Sequence, residues 1–171
     1  MVLFVFFWLI SAVEANDEST SVRLFNYDRY LLNLDMDVLT DPSGELTIKQ
    51  VSAPGNAVGF KRNTQKILNL GISSNAHWVR FRLSYPDSYP NKAKEKQWYL
   101  EVARSLLDMA ELYTPLESGG YSVMRSDLSV PFEDRFLSHV NSVFPVKMHI
   151  GDERTYYLKL ESDAVSIQYS L

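Results

Sequence analysis

The chain has 171 residues, of which 46% are apolar, 22% charged and 13% aromatic. This length and composition are typical of one globular domain and exclude a disordered or collagen-like chain. The absence of cysteine excludes a disulfide scaffold, and a net charge of −4 argues against binding nucleic acid by charge alone.

The first fifteen residues differ from the rest, because thirteen of them are apolar and Glu14 is their only charge. The run is shorter than the ~20 residues of a membrane span, and the small residues Val13 and Ala15 suit a signal-peptidase site. We predict a signal peptide at residues 1–15, cleaved after Ala15, and export of the mature chain. No Lys or Arg precedes Arg23, and a buried first strand or helix is the alternative.

The mature chain divides into a short leader and one domain. Residues 16–26 are predicted to be a mobile leader, and residues 27–171 one folded domain. No later stretch approaches the ~18 apolar residues of a membrane helix, so we expect no membrane span after the signal peptide.

Residues 32–38 alternate between apolar and polar, which predicts a strand with Leu32, Leu34, Met36 and Val38 on its buried face. Asp35 and Asp37 would then line its wet face. Asp41-Pro42-Ser43-Gly44 matches a type I turn, and residues 45–51 form either a returning strand or a short helix.

Residues 77–83 give the clearest second strand, with Val79, Phe81 and Leu83 on one face and Trp78, Arg80 and Arg82 on the other. Residues 85–96 are predicted to be an exposed loop, and residues 103–110 are the only helical rival. Gly119-Gly120 and Gly151-Asp152 are predicted turns, the second of them within a hairpin. Further strands are predicted at residues 97–102, 109–113, 121–124, 144–150, 155–160 and 165–169.

Eight or nine short strands separated by turns indicate an all-β fold, an antiparallel β-sandwich of the jelly-roll type. Catalytic and metal-binding motifs are missing from the sequence. It has no nucleophile elbow, no cysteine and no glycine-rich phosphate loop. His77, His139 and His149 are far apart, and the surroundings of Asp35 and Asp37 do not fit a calcium loop. We therefore expect no metal, no cofactor and no enzymatic activity, with Glu101 and Glu111 as the alternative glycosidase pair.

One predicted sheet face combines aromatic and charged side chains. If the strands at 77–83, 97–102 and 109–113 are neighbours, their non-core faces bring together Trp78, Arg80, Tyr99, Glu101 and Tyr113. Aromatic faces stack on sugar rings, while Arg and Glu bind hydroxyl or anionic groups. These five residues form the predicted ligand-binding site. The alternatives are an ordinary polar face with Arg–Glu cross-strand pairs and a Trp78 that belongs to the core.

Several short motifs then occur in an order that resembles a known family. They are Asp-Pro-Ser-Gly at 41–44, Leu-Gly-Ile-Ser-Ser-Asn-Ala-His-Trp-Val-Arg-Phe-Arg-Leu at 70–83, Trp-Tyr-Leu-Glu at 98–101, Leu-Asp-Met-Ala-Glu-Leu-Tyr at 107–113, Pro-Phe-Glu-Asp-Arg at 131–135, Phe-Pro at 144–145 and Tyr-Tyr-Leu at 156–158. Over residues 27–168 the chain resembles the type 2 extracellular domain of bacterial seven-transmembrane receptors with diverse intracellular signalling modules (7TM-DISM).

This resemblance implies that residues 27–171 form an extracytoplasmic sensor and ligand-binding domain, located in the periplasm. It also implies a jelly-roll fold that is similar to carbohydrate-binding modules and takes a carbohydrate or small-molecule ligand. In the family the domain normally precedes seven membrane helices and a signalling output module. Two features depart from the family: Ser126-Asp127 replaces the Gly-Asp that often precedes the Pro-Phe block, and the sequence ends at Leu171. We therefore expect either a receptor fragment or a free module with a membrane receptor or signalling partner. A docking module for a receptor or cell-wall protein is the alternative function.

Overall fold

The computed structural model describes residues 21–25, 27–71, 75–88, 93–102, 109–127, 141–161 and 167–169. A 3-10 helix spans Asn33–Asp35, the α-helix α1 spans Ile48–Val51, and a second 3-10 helix spans Pro54–Gly59. The strands are β1 (Val22–Arg23), β2 (Met36–Asp41), β3 (Lys61–Arg62), β4 (Leu68–Gly71), β5 (Ala76–Ser84), β6 (Glu95–Val102), β7 (Met109–Pro115), β8 (Tyr121–Asp127), β9 (Ser142–His149), β10 (Glu153–Glu161) and β11 (Ile167–Tyr169).

The large sheet has the strand order β3-β2-β5-β10-β7-β8, and all of its consecutive pairs are antiparallel. β1 runs parallel to the end of β5, with Val22 opposite Leu83. Two further antiparallel pairs, β6 with β9 and β4 with β11, are separate in hydrogen bonding from the large sheet. We call the β6–β9 pair the small sheet.

The main core lies between the large sheet and the small sheet. β5 and β10 contribute Phe81 and Tyr156, whose rings stack with centroids 5.6 Å apart. In the small sheet the side chains alternate, so that Phe144, Val146 and Met148 are buried while Lys147 and His149 are exposed. Period-two alternation buries one face of each such strand. The predicted all-β class and antiparallel sandwich are confirmed, and the jelly-roll connectivity stays a prediction.

A second, smaller core covers the opposite face of the large sheet, which we call the outer face. It joins the buried residues Val51, Trp78 and Tyr157 to side chains from residues 46–60. We call residues 46–60 the cover segment. Its α1 helix begins at an N-cap, Thr47, that forms a capping box with Gln50. Of the two alternatives predicted for residues 45–51, the short helix is therefore the correct one.

The predicted strand at residues 32–38 is wrong in its first half. Residues 33–35 form the 3-10 helix, and β2 begins only at Met36. Leu34 is 47% exposed instead of lying in the core, and Asp37 is buried instead of facing water. Asp37 is buried because the cover segment packs against this face of β2 and excludes water from it.

The predicted hairpin around Gly151-Asp152 is also wrong. A tight turn does occur there, in which the backbone N–H of Asp152 donates to the carbonyl of His149 at 3.0 Å. However, β9 pairs with β6 and β10 pairs with β5 and β7, so the turn connects the two sheets. A turn motif reports a local reversal of the chain and does not specify the pairing partner of either strand.

The other boundaries differ by smaller amounts. β6 begins at Glu95, inside the predicted loop, and β7 includes Pro115. The folded chain begins before residue 27, because β1 pairs with β5 and Leu24 is 3% exposed. The predicted signal peptide, residues 103–108 of the helical rival at 103–110 and the 131–135 motif lie outside the described residues. The last two residues of that rival, Met109 and Ala110, belong to β7. Among the residues described, no helix is long and apolar enough to cross a membrane.

Candidate functional site

The five predicted site residues do not share one surface. β10 lies between β5 and β7, and all three strands belong to the large sheet, whereas β6 belongs to the small sheet. Trp78, Arg80 and Tyr113 therefore lie together on the outer face, while Tyr99 and Glu101 lie on β6. The assumption that the three strands are neighbours is wrong for β6.

Trp78 and Arg80 are buried on the outer face. Trp78 has no exposed surface, and its ring centroid lies 5.2 Å from that of Tyr113. Arg80 is 9% exposed and donates from Nη2 and Nε to Oδ2 of Asp37, at 2.8 and 3.2 Å. The guanidinium also lies 4.7 Å from the ring centroid of Phe60 in the cover segment. These contacts stabilise the covered face and leave neither side chain open to a ligand.

Glu111 and Tyr113 form a second polar group on the same face. Oε1 of Glu111 accepts from Nε of Arg125 at 2.8 Å, and Oε2 accepts from the Tyr113 hydroxyl at 2.7 Å. Burial, followed by the hydrogen bond to Glu111 and the charge of its carboxylate, raises the pKa of Tyr113 well above its usual value. Tyr113 is therefore a neutral donor at physiological pH.

A cavity of about 410 Å³ lies beside β6. Its two longer walls are residues 27–32 and residues 96–101, and Leu24, Leu83 and Val146 complete it. We call residues 27–32 the strap. This volume is within the range of small-molecule sites.

The position of the cavity follows from its walls. Six consecutive residues of β6 line it, although successive side chains of a strand point to opposite faces. The cavity must therefore run along one edge of β6. Among the described residues β6 pairs only with β9, so the edge on the cavity side has no strand partner.

Aromatic rings surround the cavity mouth. Tyr99 is 57% exposed, and its hydroxyl accepts from Nε2 of Gln97 at 2.7 Å. From the strap, Tyr27 and Tyr30 meet edge to face, with ring centroids 5.9 Å apart. Tyr27, like Tyr99, is exposed, and exposed rings offer flat surfaces for a ligand ring.

Glu101 is held in place at the same mouth. Its Oε1 accepts from Nδ2 of Asn141 at 2.6 Å, and its Oε2 lies 3.8 Å from Nη2 of Arg29 in the strap. The second contact is long, and the Arg29 side chain is 79% exposed. Glu101 therefore keeps hydrogen-bonding capacity for a ligand hydroxyl.

Trp98 and Lys96 form the inner part of the wall. The Trp98 ring meets Tyr85 edge to face, with centroids 4.9 Å apart, and Nζ of Lys96 lies 5.0 Å from the Trp98 ring centroid. Nε1 of Trp98 is buried and has no hydrogen-bond partner in the part of the chain that the structure describes.

Sequence reasoning identified Tyr99 and Glu101 in this cavity and missed the residues around them. Tyr27, Arg29 and Tyr30 were assigned to the start of the domain without a role, and Lys96 was placed in a solvated loop. The aromatic spacing of Phe25, Tyr27 and Tyr30 was an available indication. Trp98 also packs against the main core.

The geometry offers no metal or glycosidase centre in the part of the chain that is described. No cluster of three or more His, Cys, Asp or Glu there could hold a metal ion. Glu101 and Glu111, the alternative catalytic pair, lie on different sheets. Glu111 is also only 5% exposed and bonded to Arg125 and Tyr113.

The fold defines an antiparallel β-sandwich domain with an open cavity at one strand edge. The family model of the 7TMR-DISM extracellular 2 domain matches residues 33–171, and the chain belongs to that family. It is thus placed among the extracellular sensor domains of receptors. No curated protein gives a significant match. The matched region contains the β6 wall of the cavity, while the strap precedes it.

Proposed function

We propose that this chain is the non-enzymatic ligand-binding domain of a bacterial signalling receptor, and that the cavity beside β6 takes a carbohydrate or another small molecule. The observation that carries the proposal is the cavity itself, which combines a suitable volume with exposed tyrosines and partly satisfied polar groups. Binding sites for small molecules are concave and contain a few well-placed polar groups.

Of the five predicted site residues, Tyr99 and Glu101 belong to the proposed site. Tyr99 would stack on a ligand ring, and Glu101 would accept a hydrogen bond from a ligand hydroxyl. Trp78, Arg80 and Tyr113 are assigned a structural role instead, because they lie beneath the cover segment on the other sheet.

A thermal-shift screen of the protein against a glycan and metabolite library tests the proposal. A ligand at 100 times its dissociation constant should add about 2.7 kcal/mol to the free energy of unfolding. The shift should fall in Tyr99→Ala and Glu101→Gln and persist in Val123→Ala. Val123 is a matched control, because it has the same 57% exposure as Tyr99 and lies on β8. A hit unaffected by either cavity variant would place the ligand elsewhere and contradict the site.

Export to the periplasm is part of the same proposal. The family is extracellular, and the apolar run at residues 1–15 has the composition of a signal peptide. Intact mass measurement of the protein recovered from the periplasm should give a chain that begins at Asn16. Recovery only from the cytoplasm, with Met1 retained, would contradict export.

The alternative is a docking module for a membrane receptor or cell-wall protein. One observation favours it: within the described part of the chain, β8 pairs only with β7 at the edge of the large sheet, and Val123 on β8 is exposed. Unpaired strand edges are templates for strand addition. A library without hits, together with crosslinking to a purified receptor that Val123→Lys abolishes, would favour docking.

A further inference from the structure

The backbone of β6 faces the cavity at alternate residues. The N–H of Ile150 donates to the carbonyl of Lys94 at 2.9 Å, one step beyond the cross-strand pair of Glu95 with His149. Residues of an antiparallel pair alternate between hydrogen-bonded and non-hydrogen-bonded positions. Counted from Lys94, the odd-numbered residues of β6 therefore direct their N–H and C=O groups away from β9. In the cavity wall these are Gln97, Tyr99 and Glu101.

Two features of β9 agree with this alternation. Pro145 lies opposite Tyr99, and a proline has no N–H to donate, which suits a non-hydrogen-bonded position. The backbone of His149, opposite Glu95, bonds elsewhere: its N–H donates to Oδ2 of Asp152 at 2.7 Å, and its carbonyl accepts from the N–H of Asp152 at 3.0 Å. The backbone groups at the odd-numbered positions of β6 thus point to the cavity edge, and no described strand pairs with them there.

The strap lies across the cavity from this edge. The chain is anchored on both sides of the strap, because the N–H of Leu24 donates to the carbonyl of Ser84 at 2.8 Å and Nδ2 of Asn63 donates to the carbonyl of Asn33. Between these anchors the strap is exposed at Tyr27. The space beside the edge therefore suits a short extended chain better than the edge strand of a folded protein.

We propose that the ligand is a short peptide in an extended conformation that pairs antiparallel with the open edge of β6. The inference rests on the proposed function and names the ligand class for the same site. Backbone groups recur along the edge about every 7 Å, twice the rise of a strand residue. A peptide backbone repeats its own groups at this spacing and adds to such an edge as a further strand, whereas a single sugar ring has no such repeat. Antiparallel pairing is the more stable of the two directions.

The two faces of β6 define the side chains that fit. Directly opposite residues of a strand pair share a face, so the peptide residue opposite Tyr99 lies against its exposed ring. The residues on either side of it share the face of Trp98 and Leu100, where Leu24 and Leu83 also line the cavity and belong to the main core. A β-branched polar residue between two apolar ones fits this pattern, and acetyl-Val-Thr-Val-methylamide is the matching probe.

Hydrogen exchange of the free protein tests the edge itself. The amides of Gln97, Tyr99 and Glu101 should exchange about tenfold faster than those of Trp98 and Leu100, which donate to β9. Slow exchange at all five positions would show that the edge is already paired and would overturn the inference.

Titration of the 15N-labelled full chain with the probe tests the pairing. In the antiparallel register the N–H of Tyr99 donates to the threonine carbonyl, and the N–H of Glu101 donates to the acetyl carbonyl. Both amide resonances should therefore move downfield. Those of Trp98 and Leu100 should move less, because these amides keep their bonds to β9.

Two N-methylated isomers of the probe form the matched pair. Methylation of the threonine nitrogen removes the donor to the carbonyl of Tyr99, so this isomer should bind about tenfold more weakly. Methylation of the second valine nitrogen changes an N–H that points away from β6, so its affinity should stay within about threefold of the parent probe. Equal affinity of the two isomers would overturn the strand pairing.

The outcomes separate this inference from the function on which it rests. A glycan hit that depends on Tyr99, together with no shift from the probe, would overturn the peptide ligand and leave the ligand-binding function standing. Shifts at Tyr99 and Glu101 with the expected difference between the isomers would support both. No shift from the probe and no hit in the library would contradict both.

Discussion

Asp37 and Arg80 form a buried ion pair on the outer face of the large sheet, in which two guanidinium nitrogens of Arg80 donate to the same oxygen of Asp37. The two residues are direct cross-strand partners on β2 and β5. The cover segment encloses the pair, because Phe60 lies over the guanidinium. The ion pair thus belongs to the packing of the sheet against the cover segment.

We expect Arg80→Met to lower the free energy of unfolding by about 3 kcal/mol, because it leaves a buried carboxylate with the more distant Arg62 as its remaining cation. Denaturant unfolding measures the change. The double variant Asp37→Leu/Arg80→Met should recover much of the loss. Arg62→Gln is the exposed control and should cost at most about 1 kcal/mol. A single Arg80 variant no less stable than Arg62→Gln would contradict the structural role.

Asp41 organises the turn that leads into the cover segment. Its Oδ1 accepts from the Ser43 hydroxyl at 2.7 Å and the Gly44 N–H at 3.0 Å, and its Oδ2 accepts from the Leu46 N–H at 2.9 Å. We expect Asp41→Asn to cost about 1–3 kcal/mol, since one acceptor oxygen becomes an amide donor. Ser43→Ala removes a single donor and should cost less in the same unfolding assay.

The loss in Asp41→Asn should depend on pH. Burial by itself would raise the pKa of Asp41, but the hydrogen bonds from Ser43, Leu46 and Gly44 together lower it below the ordinary value of 3.8. A carboxyl with a depressed pKa in the folded state adds stability above its unfolded pKa and loses it as pH falls through the folded pKa. The gap between the wild type and Asp41→Asn should therefore be full near neutral pH and shrink below pH 3.8. A gap independent of pH would contradict the assignment.

Tyr156 carries a buried hydroxyl that has no hydrogen-bond partner among the described residues. We expect Tyr156→Phe to raise the free energy of unfolding by about 1 kcal/mol near neutral pH, since the unsatisfied group is removed and the ring stacked on Phe81 remains. Tyr27→Phe, at a 67% exposed position, should stay within about 0.5 kcal/mol of the wild type. A Tyr156→Phe protein less stable than the wild type would reveal a bond made by this hydroxyl.

The free energy of unfolding of the wild type and that of Tyr156→Phe should also respond differently to alkaline pH. Burial raises the pKa of Tyr156 from 10.0 to about 12 in the folded state. Because the unfolded state loses this proton first, the stability contribution is complete below pH 10 and declines as the pH rises through about 12. Tyr156→Phe lacks this group, so its stability should fall less over the same interval. Parallel curves for the two proteins would contradict the raised pKa.

Tyr99 allows ligand binding to be separated from stability. Because the side chain is 57% exposed, Tyr99→Ala should change the free energy of unfolding by no more than about 0.5 kcal/mol. For a ring ligand found in the screen, the same variant should lose about 0.5–1.5 kcal/mol of binding free energy from stacking. Calorimetry gives the affinity, with Val123→Ala as the control of equal exposure. Unchanged affinity in Tyr99→Ala would remove this ring from the site.

Local patterns were sufficient for several strands and turns. The alternation at residues 77–83 and 97–102 predicted which side chains share a face of β5 and of β6, because successive side chains of a strand point to opposite faces. It did not predict that both faces of β5 are buried. Gly119 and Gly120 marked the turn into β8, where both have positive φ values. The same kind of local reasoning failed at residues 32–35, where a 3-10 helix replaces the first part of the strand.

The site was predictable only in part, for a physical reason. Tyr99 and Glu101 were selected from their own strand, and they do line the cavity. Lys96 and Trp98 also line the cavity and were missed, because the cavity depends on the open edge of β6 and on the strap that faces it. Neither feature is encoded in the alternation of a single strand.

Alternation and turn residues act over a few neighbouring positions, so an all-β domain could be predicted from them. Which strands are neighbours could not be predicted in this way: β10 enters between β5 and β7, while β6 joins the other sheet. That pairing depends on packing between distant parts of the chain. It buries Trp78 and Arg80 under the cover segment and leaves Tyr99 and Glu101 beside an open cavity.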